Sequence, residues 1–326
     1  MKNKIMKIAV WSIGPHALKN ILPSLKINNN IELYGVYTRD SILTKKCSEE
    51  YECIGFSSSS EMLNNKEIDI IYTSSPIGIH AQQGLEVLNA NKHFWCEKPL
   101  TSTFKDTEKL IQLSVDKELS IAEGFMYLYH PQFLWLKEYL NNLENNDIKK
   151  IDCIFTLPYL ETPGFRYDNN LGGGTLLDIG TYPISAILEL VNSEDPAIVL
   201  KKETVNKKFS VDMNGSASLV FPSGIQANLF WGIGFGYKNE IDILMEKGSI
   251  YTDKIFSKND SYIPEFQIRD QNGIIKIIKN KKNNHFNSMF DHFISLVGNA
   301  KNSEIERNRI MRLAKLSDLI SSYRAS

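Results

Sequence analysis

The sequence predicts an α/β protein in which an N-terminal doubly wound parallel sheet precedes an α+β domain with an open, mostly antiparallel sheet. Its 326 residues are about twice the length of a typical single domain. The first third alternates β-branched runs with helical patterns, as stacked βαβ units do. From about residue 208 onward, apolar and polar residues alternate with the period of half-buried antiparallel strands. We therefore predict two domains, 1–125 and 126–326.

The elements of the first domain follow from apolar runs and helical spacing. A compact apolar strand ends near Trp11, and after a very tight turn Ala17, Ile21 and Leu25 recur at helical spacing. The same reasoning continues along the chain to about residue 123 and predicts a six-stranded doubly wound sheet in outline. Five of these strands can be placed, at 5–11, 31–37, 68–73, 93–96 and 120–123. The predicted helices are 16–26, 44–51, 80–89 and 104–116.

The second domain has a different texture. A long helix at 131–143 is followed by a strand at 151–157 and a glycine-rich segment. Strands at 211–219 and 226–231 then alternate with period two across a Pro-Ser-Gly turn, which predicts an antiparallel sheet. The closing stretch 286–323 carries a long apolar stripe and is predicted to be helical.

Composition narrows the functional classes. Hydrophobic residues make up 42% and charged residues 23%, with a formal net charge of -1, which argues against disorder and against nucleic acid as a main partner. No apolar run reaches the ~18 residues of a membrane span, so we expect a soluble, cytoplasmic protein without a membrane partner. The four cysteines show no metal-ligand spacing, so we expect reduced thiols and no metal.

The turn after the first strand resembles a dinucleotide-binding motif. The fingerprint G-x-G-x-x-G/A lets the backbone approach a pyrophosphate at a helix N-terminus. Here Gly14 and the final alanine fit, whereas Ser12 replaces the first glycine, and an ordinary strand-to-helix turn is the alternative interpretation. The predicted cofactor contacts are Ser12, Ile13, Gly14, Pro15 and His16.

The end of the second strand bears on which dinucleotide is bound. Thr38 and Arg39 stand where the adenosine ribose is expected, 24 residues or so beyond Gly14. An acidic residue there suits the 2'-hydroxyl of NAD, whereas a hydroxyl followed by arginine suits the 2'-phosphate of NADP. We therefore predict NADP(H) as the preferred cofactor, with NAD(H) as the alternative. A solvated charge at a strand end is the other interpretation of Arg39.

Three further segments resemble one enzyme family in order. These are Ser74-Ser75-Pro76 with His80, then Glu97-Lys98-Pro99, then Gly172-Gly173-Gly174 leading to Asp178, Tyr182 and Pro183. Together they resemble the glucose-fructose oxidoreductase, inositol dehydrogenase and rhizopine-catabolism (Gfo/Idh/MocA) family. Tyr182 and the Phe125–Gln132 segment resemble the branch of glucose-fructose oxidoreductase, dihydrodiol dehydrogenase and nucleotide-sugar 3-ketoreductases, although Leu128 stands where those relatives usually carry arginine.

The resemblance implies a Rossmann domain, a nicotinamide cofactor and a shared set of site residues. Hydride transfer to a carbonyl builds negative charge on oxygen, so the site needs a proton donor and a cation. Lys98 and Tyr182 supply both, and Asp178, four residues before Tyr182, shares its face if the segment is helical. Pro183 disfavours helical torsions at Tyr182, so a kink or an end is expected there. Further expected cofactor contacts are Ser74, Ser75, Pro76, His80, Glu97 and Lys98.

The resemblance also implies a cis Lys98–Pro99 bond. Tyr127, His130 and Arg166 are candidate substrate contacts. A structural histidine and a surface arginine are equally good interpretations of the last two. We expect an NADP-preferring oxidoreductase that transfers hydride to or from a ring carbon of a sugar or nucleotide-sugar.

The sequence is also compatible with two alternative functions. A dehydrogenase of trans-dihydrodiols or of aldoses such as xylose is the alternative within the enzyme class. A non-catalytic cofactor-binding sensor is the alternative outside it. The open sheet of the second domain predicts a homodimer or homotetramer.

Overall fold

A computed structural model describes residues 5–143, 147–162, 164–191 and 195–324. The chain divides into two compact units, the first made of Met1–Phe125 with Phe286–Met311 and the second of Met126–His285 with Arg312–Ser326. The sequence also predicted a division after residue 125. Each unit has its own sheet.

The first unit is built on a six-stranded parallel sheet, as predicted. Its strand order β3-β2-β1-β4-β5-β6 is that of a Rossmann fold. All five strand pairings within this sheet are parallel, and every residue of β4 is buried. The strands are β1 (Met6–Trp11), β2 (Ile31–Tyr37), β3 (Ile54–Gly55), β4 (Ile70–Thr73), β5 (His93–Cys96) and β6 (Ile121–Glu123).

Five helices connect these strands, and their first turns explain where they begin. Asp40, Ser58 and Thr103 each accept backbone N–H bonds at the start of a helix, which is the usual N-cap arrangement. A π-helical turn, Ala17–Ile21, leads directly into the first helix. The helices are α1 (Leu22–Ile27), α2 (Ser41–Tyr51), α3 (Ser59–Asn64), α4 (Ile77–Asn89) and α5 (Phe104–Asp116).

A distant segment completes the first unit. The sequence division placed the closing helical stretch in the second domain, whereas the structure packs residues Phe286–Met311 with the first unit. The reason is aromatic packing: Phe290 lies edge-on to Tyr72 at a centroid distance of 5.5 Å, and Phe293 meets Trp95 at 5.4 Å. The closing stretch forms two helices, α8 (His285–Ile294) and α9 (Ala300–Ser322), and the division between the two units falls within α9, after Met311.

The second unit is built on an eight-stranded sheet of order β14-β13-β12-β11-β7-β10-β9-β8. Among the described residues, β7 and β10 pair in parallel and the other neighbouring strands pair antiparallel, so the sheet is mostly antiparallel, as predicted. Two helices belong to this unit, α6 (Pro131–Asn141) and α7 (Thr181–Leu190). The strands are β7 (Ile148–Leu157), β8 (Ala197–Asn206), β9 (Val211–Val220), β10 (Gln226–Ile233), β11 (Lys238–Met245), β12 (Gly248–Asp253), β13 (Glu265–Asp270) and β14 (Ile275–Lys279).

Within the described residues, no helix has both the length and the apolar character needed to cross a membrane. All four cysteines are free thiols, and Cys47, Cys96 and Cys153 are buried.

Candidate functional site

The turn between β1 and the first helix keeps the backbone that a glycine-rich motif requires. Ser12, at the position of the first motif glycine, has φ +72°, a left-handed conformation that glycine adopts without cost. Its N–H donates to the Tyr37 carbonyl at 2.8 Å. A Cβ on Gly14 would meet nothing within 4 Å, so this turn is open to a ligand. Because the helix begins here, its N-terminal N–H groups and this open turn fit a pyrophosphate.

The carboxyl end of β2 presents a cation and no competing acid. Arg39 is exposed and forms no ion pair with any carboxylate in the part of the chain that the structure describes. The neighbouring Asp40 instead caps α2 by accepting N–H bonds from Ile42 and Leu43, each at 3.0 Å. Thr38 is held by Thr44, whose hydroxyl accepts the Thr38 N–H at 3.1 Å. The acidic side chain closest in sequence is therefore engaged, and the arginine remains exposed.

The loop after β4 is held from behind by a buried histidine. His80 is fully buried, and its ring nitrogens lie 2.8 Å from the Ser75 carbonyl oxygen and 3.0 Å from that of Pro99. Burial lowers the pKa of His80. The Ser75 hydroxyl donates to Gln83, whereas Ser74 and Pro76 are partly exposed. His80 therefore joins two loops of the fold.

Glu97 links the predicted cofactor turn to the sheet. Its Oε1 accepts a hydrogen bond from the Tyr72 hydroxyl at 2.6 Å and lies 3.0 Å from His16 Nε2. Burial alone raises the pKa of Glu97, but His16, the Tyr72 hydroxyl and Lys98 outweigh burial and lower the pKa to about 2. Glu97 is therefore ionised at neutral pH and anchors the His16 ring.

Lys98 is half-buried and precedes Pro99 through a cis bond, as the resemblance implied. A residue that sequence reasoning missed supports this loop: Glu123, at the end of β6, accepts the Leu100 N–H at 2.7 Å. Arg309, from α9, lies 3.5 Å from the Glu123 carboxylate and donates to the Glu123 carbonyl at 3.3 Å. The loop that carries Lys98 is thus held by the buried Glu123 carboxylate, which in turn contacts Arg309, a residue far along the sequence.

Glu123 and Glu306 share the single guanidinium of Arg309 unequally. Arg309 lies 2.5 Å from Glu306 and 3.5 Å from Glu123. Burial raises the pKa of Glu123 to about 7, although Arg309 opposes this shift. Burial also raises the pKa of Glu306, but Arg309 and His292 outweigh it and lower that pKa to about 2. The closer carboxylate keeps its charge, and Glu123 is the member of the pair that gains a proton as pH falls through about 7.

In the second unit, the glycine triplet is a backbone cradle. A Cβ on Gly173 would lie 2.7–2.8 Å from the carbonyl oxygens of Phe165, Arg166 and Asp168. Gly174 has φ +109°, and its Cβ would overlap the Asp212 carboxylate. No side chain fits at either position, which explains the glycines.

Asp212 accepts hydrogen bonds at the start of the helical segment that contains Asp178 and Tyr182, the predicted catalytic pair. Its Oδ2 accepts the Thr175 hydroxyl at 2.6 Å and the Leu176 N–H at 2.7 Å. The π-helical turn Leu176–Gly180 then continues directly into α7, which passes through Pro183 without ending. Of the expected kink or end at Tyr182, the helix does not end, and the irregularity takes the form of the π turn that precedes Tyr182.

Asp178 and Tyr182 are both buried in this segment. Asp178 is 6% exposed and accepts a 2.5 Å hydrogen bond from Nε of Arg166. Tyr182 is 7% exposed, and its ring packs against three aromatic side chains, those of Tyr127, Phe155 and Phe256. Its hydroxyl lies 3.8 Å from the Met126 sulfur. Lys98 belongs to the first unit, whereas this pair belongs to the second.

Two of the predicted substrate contacts, Tyr127 and His130, are buried and hydrogen-bonded within the fold. Tyr127 is fully buried, and its hydroxyl is 2.6 Å from that of Ser185. His130 is fully buried and caps α6 by accepting the Gln132 N–H at 3.0 Å. Burial lowers the pKa of His130 to about 3, so the ring is neutral. Leu128 is also buried. Of the three predicted substrate contacts, Arg166 alone keeps a partly exposed side chain.

Comparison with known proteins identifies the family. Residues 7–125 match the model of an oxidoreductase family with an NAD-binding Rossmann fold, and residues 133–251 match the GFO/IDH/MocA C-terminal domain. The chain belongs to the Gfo/Idh/MocA oxidoreductase family. This family membership confirms the resemblance, the fold class and the assignment as an NAD(P)-dependent enzyme.

The proteins that the chain is similar to include dTDP-3,4-didehydro-2,6-dideoxy-alpha-D-glucose 3-reductases from several bacteria. The protein from Streptomyces violaceoruber is 29% identical over 83% of this chain and 79% of its own length. That from Saccharopolyspora spinosa is 30% identical over 78% and 76%, respectively. The crystal structure of KijD10, a 3-ketoreductase from Actinomadura kijaniata in complex with NADP and TDP-benzene, superimposes with a TM-score of 0.92 at 24% identity and covers 98% of both chains.

Proposed function

We propose that this protein is an NADP-dependent reductase of a ring ketone on a nucleotide-linked sugar. The observation that carries the proposal is the match to two 3-reductases over about four-fifths of the chain. In addition, the chain retains Lys98, Asp178 and Tyr182 at the motif positions. A protein that only bound the cofactor would have no chemical need for this set.

The residues then have distinct tasks. When bound, the nicotinamide supplies the hydride. The Lys98 ammonium stabilises the negative charge that develops on the substrate oxygen, and the Tyr182 phenol donates the proton that converts this oxygen to a hydroxyl. Asp178 acts through Arg166, with which it is paired. The reverse oxidation uses the same groups in the opposite order.

The preference for NADP rests on the end of β2. Arg39 is exposed and Asp40 is occupied as a helix cap, so a 2'-phosphate finds a cation and no competing carboxylate. We expect Arg39→Gln to raise the Kd of NADPH about tenfold or more, because it removes a charge-assisted hydrogen bond. The Kd of NADH should change little. Titration calorimetry with both cofactors measures this difference, and tighter binding of NADH by the wild-type protein would contradict the preference.

Turnover is tested with a dTDP-linked 3-keto sugar and NADPH by following the loss of NADPH absorbance. We expect Tyr182→Phe and Lys98→Met to lower kcat about 100-fold or more. Lys105→Met, at an exposed lysine on α5, is the matched control and should retain activity. Full turnover in both site variants would refute the assigned roles.

The same assay separates the alternatives. Faster turnover of free xylose or of a trans-dihydrodiol than of the nucleotide-linked ketone would replace the proposed substrate class. NADPH binding without turnover of any substrate in the panel would favour a sensor.

A further inference from the structure

Arg166 occupies a backbone position that the glycine triplet fixes. It lies in a short 3-10 turn, Gly164–Tyr167. Its carbonyl oxygen accepts the Gly174 N–H at 2.9 Å, and a Cβ on Gly173 would lie 2.7 Å from that same oxygen. A side chain at Gly173 would therefore displace Arg166. The glycines and the arginine act together as one local structure.

The side chain of Arg166 is held as firmly as its backbone. Nε donates to the buried Asp178 carboxylate at 2.5 Å, and the guanidinium lies 5.1 Å from the centre of the Phe165 ring. The Arg166 side chain is nevertheless 33% exposed, compared with 6% for Asp178. Within the described ranges, neither Nη1 nor Nη2 makes a hydrogen bond or an ion pair. Asp178 thus uses one N–H of the guanidinium and leaves four at the two terminal nitrogens.

A guanidinium in this state is suited to bind an oxyanion. Its two terminal nitrogens form a planar fork that matches two oxygens of a phosphate or a carboxylate. Because Asp178 and Phe165 already fix the side chain, little rotamer entropy remains to be lost when a ligand binds. A merely structural partner for Asp178 would not require a fork, since a single donor satisfies the contact seen here.

We propose that Arg166 binds a phosphate group of the substrate, so that the enzyme selects sugars linked to a nucleoside diphosphate. This inference rests on the proposed function, since the nucleotide-linked substrates of the relatives supply the phosphate. Asp178 is then a positioning residue that orients the guanidinium. A carboxylate on a sugar acid and the phosphates of the cofactor offer the same oxyanion chemistry, and the experiment separates these sources.

Titration calorimetry of the full-length protein with thymidine diphosphate, thymidine, glucuronate and NADPH tests the proposal. The variants are Arg166→Gln, which removes the charge, and Arg166→Lys, which keeps the charge and removes the fork. Arg269→Gln, at an exposed arginine on β13, is the matched control.

We expect Arg166→Gln to raise the Kd of thymidine diphosphate about tenfold or more, which corresponds to the loss of a charged hydrogen bond. The Kd values of thymidine and NADPH should stay within about twofold, and Arg166→Lys should fall between the wild-type protein and Arg166→Gln. If Arg166→Gln does not fold, a tenfold weaker diphosphate affinity in Arg166→Lys supports the same conclusion.

Several results would overturn the proposal. One is an unchanged diphosphate affinity in both variants, and another is an equal loss of thymidine affinity. A loss of NADPH binding would assign the fork to the cofactor, and glucuronate binding that depends on Arg166 without diphosphate binding would assign it to a carboxylate. The phosphate contact and the reductase activity can fail separately. If thymidine diphosphate binds through Arg166 but no substrate is turned over, only the proposed reductase activity is refuted. If the nucleotide-linked ketone is turned over with a KM that does not change in the Arg166 variants, only the phosphate contact is refuted.

Discussion

Replacing Glu123 by glutamine probes the buried carboxylate behind the Lys98 loop. Glutamine keeps an oxygen that accepts the Leu100 N–H, the 2.7 Å bond that fixes this loop, but it cannot ionise. Its amide also faces Arg309, which lies 3.5 Å from the wild-type carboxylate. This last effect does not depend on pH. The quantity to measure is therefore the difference in the free energy of unfolding between the glutamine variant and the wild-type protein, as a function of pH.

Whether this difference rises or falls with pH follows from the direction in which the pKa of Glu123 is shifted. Burial raises the pKa of Glu123 from 4.5 to about 7, so the folded state binds this proton more tightly than the unfolded state does. The stability that Glu123 contributes is full below its unfolded pKa and is lost as pH rises through about 7. The shift of about 2.5 units corresponds to about 3 kcal/mol, at about 1.4 kcal/mol per unit. From about pH 5.5 to about pH 8.5, the glutamine variant should gain about 2 kcal/mol relative to wild type.

Urea unfolding of both proteins at several pH values, followed by circular dichroism, measures this gain. Glu108→Gln is the matched control, because Glu108 is an exposed carboxylate on α5. Its stability difference from wild type should not vary with pH. If the Glu123→Gln difference is equally flat from about pH 5.5 to about pH 8.5, the carboxylate does not hold a proton near neutrality and the reasoning is refuted.

Three further predictions concern the backbone and the assembly. Gly173→Ala should destabilise the second unit by about 2 kcal/mol or more in urea unfolding, whereas Gly236→Ala, where a Cβ meets nothing within 4 Å, should not. Ser12→Gly should stabilise the fold by about 1 kcal/mol, because it relieves a left-handed serine. An unchanged melting temperature would contradict this, and we expect the Kd of NADPH to move little. Val199 and Leu200 are exposed on β8, so sedimentation velocity should detect a dimer or tetramer, and a monomer at micromolar concentration would refute the predicted oligomer.

Much of the fold could be predicted because its strands and helices carry a periodic signal. Strand 31–37 and helix 104–116 agree with the structure residue for residue. The one strand of this sheet that the sequence could not place is β3, Ile54–Gly55, because a strand of two residues shows no periodicity. The sequence division placed residues 286–311 with the second domain because sequence order favours neighbours, whereas the structure groups them with the first unit, where the aromatic side chains of α8 pack on a sheet about 200 residues earlier.

The site was less predictable, because motifs identify chemical groups and not their surroundings. Tyr127 and His130 are polar residues in a motif segment, and polarity suggested substrate contact. The structure satisfies Tyr127 with Ser185 and uses His130 as a helix cap. Glu123 gave no signal beyond ending a predicted strand, and Arg309 lies in a helix far along the chain.

The two units hold their predicted catalytic segments by the same physical means. In the first, Glu123 accepts the Leu100 N–H two residues after Lys98. In the second, Asp212 accepts the Leu176 N–H at the start of the helical segment that contains Tyr182. Burial raises the pKa of both carboxylates, so each is costly to ionise. In each case a carboxyl oxygen accepts a backbone N–H, so these side chains stabilise the position of the Lys98 loop and the start of the Tyr182 segment, and substitutions there should alter turnover before they alter cofactor affinity.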